Sequence, residues 1–320
     1  MDRRQMLVGA AAAAVAPMAA RAQPVEPAAS GVKWVRVAKG RHKVWTQKVG
    51  SGPIKVLLLH GGPGFSHDYL EAFTPFAQKA GLEIYYYDQL GCGLSDRPDN
   101  PSLWTIERYL TEVEEVRKGL GLDRFVLYGH SWGGMLAIEY ALKHPGRLSG
   151  LVISNMTASC AEYVRHAAQM RAALSQDDQI ILARYEAENN TENPTYQKVI
   201  DKLNAEHVCR LPQPWPEPVM RSFTGANLAI YNQMQGPNEF VITGNFRNWD
   251  RWADLPRIKT PTLVMGARYD EMDPEQIRRE GQLIPNAKTW ISERGSHLTL
   301  WDDQEAYFAA LIPFLQERKA

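Results

Sequence analysis

The segment Tyr128-Gly129-His130-Ser131-Trp132-Gly133-Gly134 sits between an apolar, strand-like run at residues 125–128 and a helix-like run that begins at once. A G-x-S-x-G pentapeptide in that setting forces a sharp turn at its serine, because Gly129 and Gly133 let the flanking elements crowd together. The Ser131 hydroxyl then stands proud of the sheet edge, and Trp132 offers a backbone N–H to a developing oxyanion. Alone, the pentapeptide also suits an ordinary glycine-serine turn, so its meaning depends on the rest of the chain.

Short apolar runs of strand length recur at residues 56–60, 84–88, 125–128, 151–154, 262–266 and 289–292, most of them separated by helix-like segments. Residues 32–49 alternate Val and Trp around Gly40-Arg41, as an opening hairpin would. Residues 106–121 form an amphipathic helix, with Val113, Val116 and Leu120 on one face and Gly119 and Gly121 near its end. Strands alternating with helices predict an α/β fold with a mostly parallel central sheet covered on both faces. From residue 157 to 255 that rhythm stops. The chain there is helical and polar, with Pro212, Pro214, Pro216 and Pro218 in quick succession, and far too long for a loop. The expected organisation is therefore a core of residues 30–156 and 256–320 with an inserted helical cap, 157–255.

With 36 basic and 36 acidic side chains in 320 residues, nothing marks the chain as a nucleic-acid binder. Arg3-Arg4 precedes an alanine-rich stretch that ends in Ala20-Arg21-Ala22, so residues 1–22 read as a removable, twin-arginine-like export signal. The expected address is a bacterial periplasm, without stable membrane association once the signal is removed, because no other stretch approaches the ~20 apolar residues of a span. Cys92, Cys160 and Cys209 are too few for a disulfide scaffold. They read as buried thiols, with Cys160–Cys209 left open as a pairing.

A serine hydroxyl needs a base to take its proton and a carboxylate to hold that base. Residues 261–270 form a strand that ends in Asp270, and residues 289–297 a strand that leads to His297. Of the 8 histidines, His297 alone follows the last strand. Asp273, Asp302 and Asp303 compete with Asp270, which alone lies at a strand end. A second oxyanion donor is expected from His60-Gly61-Gly62-Pro63-Gly64, with Gly62 the first choice. There is no H-E-x-x-H, Cys/His cluster or P-loop, so neither metal nor cofactor is expected.

Together with Tyr87-Asp-Gln-Leu-Gly-Cys-Gly-Leu-Ser95, Met234-Gln-Gly-Pro-Asn-Glu-Phe240, Tyr269-Asp-Glu271 and Gly295-Ser-His297, these motifs closely resemble the proline iminopeptidase family of α/β-hydrolases across nearly all of the chain beyond the signal. The resemblance implies Ser131, Asp270 and His297 as a triad, and Gly62 and Trp132 as oxyanion donors. It also implies that Glu239 and Glu271 bind a substrate ammonium. The activity implied is that of a serine exopeptidase releasing an N-terminal residue, preferably proline, from small peptides or amino-acid amides. A carboxylesterase or general amidase is the alternative. Trp215, Phe240 and Trp249 are candidates either for the walls around a proline ring or for the core of the cap. Serine at 131 argues against epoxide hydrolases and dehalogenases, which use aspartate there.

Overall fold

The computed structural model describes residues 31–318; the expected signal lies outside them. Eight strands form one sheet: β1 (Val32–Val37), β2 (His42–Val49), β3 (Ile54–Leu59), β4 (Leu82–Tyr87), β5 (Phe125–His130), β6 (Leu148–Ser154), β7 (Thr262–Ala267) and β8 (Ala287–Ser292). Their spatial order is β1-β2-β4-β3-β5-β6-β7-β8. The first hairpin is antiparallel, as is the β2–β4 pairing, and β3 to β8 run parallel. The mostly parallel sheet follows from the sequence: β5 and β7 are buried along their whole length, and β3 at every residue but Lys55. Continuous apolar runs of this kind suit strands covered on both faces. Along β3, Val56 and Leu58 join one core cluster and Leu57 and Leu59 the other, the alternation expected of a pleated strand.

In the first half of the chain the covering helices are α1 (Thr74–Ala77), α2 (Ile106–Leu120) and α3 (Trp132–Lys143). Helix α2 starts where the Thr105 hydroxyl accepts from Arg108 N at 3.3 Å and stops at Gly121, whose φ of 71° only glycine adopts freely. Between β6 and β7 the chain inserts α4 (Cys160–Ala172), α5 (Gln176–Ala187), α6 (Pro194–Leu203), α7 (Glu217–Thr224) and α8 (Leu228–Met234). The stem of this insertion is stitched shut where Cys160 N donates to Trp249 O at 2.9 Å and Arg251 N to Ala158 O at 2.8 Å. It is pinned to α3 by Glu139, which accepts from Trp249 Nε1 and Arg251 Nε, both at 2.6 Å. The core closes with α9 (Pro274–Leu283), α10 (Thr299–Asp302) and α11 (Gln304–Gln316).

Arg221 of α7 reaches from the insertion to Asp68 and Glu71, which follow the glycine loop after β3. Cys92, Cys160 and Cys209 are free and buried. Among the described residues no helix is long and apolar enough to cross a membrane.

Candidate active site

The turn between β5 and α3 gives Ser131 a φ of 55° and ψ of −128°, a conformation that a residue with a side chain holds only under strain. Two glycines make it possible. A Cβ on Gly129 would lie 2.1 Å from Gly133 O, and one on Gly133 would lie 2.1 Å from Leu59 O. Trp132 is the first residue of α3, so its N–H has no partner within the helix and points into the space ahead of it. In the loop after β3, the Gly61 N–H is already taken by Tyr69 Oη at 2.7 Å. Gly62 (φ 110°) has no acceptor for its N–H among the described residues, nor does Gly64, so the expected donor is free to receive an oxyanion.

Asp270 follows β7 and His297 follows β8, both at the carboxyl edge where Ser131 stands. His297 Nδ1 lies 2.8 Å from Asp270 Oδ1. The acid is held in turn by Met272 N at 3.0 Å and by Asn155 Nδ2, which donates to its second oxygen at 2.6 Å. The competing acids have other work. Asp273 caps α9 by accepting from Glu275 N. Asp302 and Asp303 brace the loop before His297 through Ser296 N and Ser292 Oγ.

A buried relay joins the two loops. Gly61 N–H donates to Tyr69 Oη, whose hydroxyl lies 3.0 Å from His130 Nδ1, and His130 Nε2 lies 2.9 Å from the carbonyl of His297. Burial, with His297 adding to it, holds the pKa of His130 well below the usual imidazole range. It is therefore neutral, with its Nε2 proton on the His297 carbonyl and Nδ1 accepting from Tyr69. The insertion also grips the base: His297 N donates to His207 O at 2.9 Å, and Leu298 N to Val208 O at 2.8 Å.

Glu239, from the insertion, and Glu271, beside the acid, come together around Tyr163 of α4. The Tyr163 hydroxyl lies 3.2 Å from Glu239 Oε2 and 3.1 Å from Glu271 Oε1. Burial raises the pKa of both carboxyls, that of Glu271 by far the more, because Glu239 and Asp270 add like charge. Burial opposes the charged form of His297 as well, but Glu271, Asp270 and Glu239 outweigh it and lift its pKa to about 10. Its Nε2 lies 3.5 Å from Glu271 Oε1. No hydrogen bond joins it to the Ser131 hydroxyl.

Ser131, His297, Gly62 and Glu239 line one cavity with Gly61, Phe65, Tyr69, His130, Val208, Phe223 and Leu298. About 290 Å³ there, open solvent at its mouth included, is free of atoms, but its narrow interior admits about one water at most. Phe65, Val208, Phe223 and Leu298 form its apolar wall. Trp215, Phe240 and Trp249 are absent from it; they pack within the insertion and its stem, with Trp215 edge-on to Phe223 at 5.3 Å. Among the described residues one group, His67, Asp68 and Glu71, has metal-ligand spacing. It is already neutralised: Arg221 pairs with both acids, and His67 Nδ1 lies 2.8 Å from Asp88.

Residues 55–304 match the family model of the alpha/beta hydrolase fold. The chain is 42% identical over 288 residues to the proline iminopeptidase of Flavobacterium johnsoniae, covering 88% of this chain and 97% of that one. It is 43% identical over 291 residues to the proline iminopeptidase of Chitinophaga pinensis, with shares of 88% and 97%. Among solved structures, VinJ superposes with a TM-score of 0.86 at 34% identity, covering 90% of this chain and 99% of that one. The proline iminopeptidase of Mycobacterium smegmatis does so with a TM-score of 0.82 at 30% identity, with shares of 90% and 98%.

Proposed function

The chain belongs to the proline iminopeptidase family of α/β-hydrolases, and from that premise we propose how its residues release an N-terminal proline. Ser131 Oγ attacks the carbonyl carbon of the first residue while His297 Nε2 takes its proton. Asp270 holds Nδ1–H, fixing the tautomer and stabilising the imidazolium. The tetrahedral oxygen is received by the N–H groups of Gly62 and Trp132, which need no reorganisation as charge builds. The C–N bond then breaks, the leaving amine takes the proton from His297, and water releases the prolyl group by the same route in reverse.

The observation that carries this reading is the pair of half-buried Glu239, on the cavity wall, and fully buried Glu271, bridged by Tyr163 next to the base. Carboxylates taken out of water need a cation or several donors. The ammonium of a substrate's first residue supplies both, and holding it there leaves only the first peptide carbonyl within reach of Ser131. The test compares kcat/KM on a prolyl arylamide and on its N-acetylated twin. Losing a charge-assisted contact in a buried site costs about 3 kcal/mol or more, a difference on the order of 100-fold in favour of the free amine. Equal rates on both would overturn the anchor and favour a general amidase or esterase.

Residues 1–22 support export to a bacterial periplasm as the setting for this activity. N-terminal sequencing of the protein from a periplasmic fraction checks it: a start near residue 23 is expected, and an intact Met1 in the cytoplasm would refute it.

A further inference from the structure

His297 is the one cation within ion-pair reach of Glu271, and no Lys or Arg pairs with Glu271 or Glu239 among the described residues. The second oxygen of Glu271, Oε2, is buried without any partner. His297 Nε2, the nitrogen that must accept the serine proton, is directed 3.5 Å from Glu271 Oε1 rather than hydrogen-bonded to Ser131. At 3.5 Å the contact is an ion pair, and it favours a proton on Nε2, where it occupies the lone pair that must receive the serine proton. Paired in this way, the imidazole favours its protonated form, which does not accept the serine proton.

Building on the reading of Glu239 and Glu271 as the ammonium anchor, we propose that Glu271 keeps His297 out of action until a substrate amine displaces it. The free amino group is then an activator of the reaction as well as its anchor. Two cations compete for one set of carboxylates. Once an ammonium enters between Glu239 and Glu271, His297 is no longer needed as their counter-ion, and Nε2 turns to Ser131 with Asp270 still holding Nδ1. The groups facing His297 are Asp270 and Glu271 from the loop after β7, Glu239 from the insertion and His130 from the end of β5, whose ring lies 4.9 Å away. Of these, only the two glutamates change partner when an amine binds. The pKa of His297, lifted to about 10 by these acids, agrees with an imidazole that is mostly protonated near neutral pH while Glu271 is its partner. The coupling is reciprocal: whatever frees the base also tightens the amine.

It follows that this site is an amine-dependent hydrolase for acyl donors that carry no amine of their own. Diisopropyl fluorophosphate reports on this directly. Ser131 Oγ bonds to phosphorus, its proton passes to His297 Nε2, and the P–F bond breaks with loss of fluoride. The experiment measures the second-order rate of this inactivation at pH 7.5, with and without saturating pyrrolidine. Methylamine runs alongside, so that bulk in the cavity is not mistaken for lack of activation. Competition of each amine with a prolyl arylamide reports separately whether the anchor is filled.

An acceleration of about 10-fold or more by at least one amine is expected. Glu271→Gln, which cannot hold the imidazolium, is expected to be inactivated rapidly without amine and to lose the response. If both amines compete with the prolyl substrate yet leave inactivation unchanged or slower, the gating is wrong although the anchor stands. If neither competes, the anchor reading falls and the gating with it.

Discussion

Asn155 follows β6 with its side chain turned under the acid, donating to Asp270 Oδ2 at 2.6 Å and reaching Thr299 Oγ1 at 3.2 Å. Its φ of 54° is one that glycine adopts without strain. Asn155→Gly therefore removes the amide and leaves the backbone at ease. The Asp270 oxygen loses its only side-chain donor in a place that water does not reach. A hydrogen bond to a charged group contributes about 1.5–3 kcal/mol. Carried into the transition state, that is a loss of roughly 10- to 150-fold in kcat. KM should change little, because Asn155 lies behind the acid and away from the cavity. Asn155→Ala makes the control: it loses the same amide and adds about 1–2 kcal/mol of backbone strain. Steady-state kinetics on a prolyl arylamide and denaturant unfolding of both variants separate the two effects. The variants should match in kcat and differ in stability. A glycine variant within about 3-fold of wild-type kcat would refute the argument that this amide supports the acid.

Ser131→Gly should abolish turnover and raise the thermal midpoint, since φ 55°, ψ −128° stores on the order of 1–3 kcal/mol in any residue with a Cβ. Calorimetry showing no rise would mean the turn is unstrained. The pH dependence of stability has a definite sign. His297 binds its proton more tightly folded than unfolded, so its contribution is complete below about pH 6.5 and is lost as pH climbs toward 10. The raised carboxyls of Glu239 and Glu271 lose stability in the same direction. The ligand-free midpoint should thus fall from pH 7 to 10, and His297→Gln should flatten that fall; a midpoint rising over this range would contradict it.

The sheet was readable because β3 to β7 each carry a short continuous apolar run, and the elbow because Gly129 is demanded by Gly133 four residues on, although Gly133 itself is demanded by Leu59 on the neighbouring strand. Asp270 and His297 were readable from their places at strand ends. Asn155, Tyr69, His130 and Tyr163 carry no local signature: each acts on a partner distant in the chain, and only closure of the sheet and the insertion brings them together. For the same reason, aromatic type did not tell wall from core. Trp215 and Phe223 lie on neighbouring stretches of the insertion, but only Phe223 faces the cavity, with Trp215 behind it.

The carbonyls of His207 and Val208 receive the N–H groups of His297 and Leu298. The insertion therefore shares in building the base as well as in lining the cavity. Anyone seeking a new specificity by grafting another family member's insertion onto this core would also be replacing part of the scaffold that aims the imidazole. Such a hybrid can bind its new substrate well and still turn it over poorly. Its remedy would lie in restoring two backbone hydrogen bonds, because no reacting side chain need have changed.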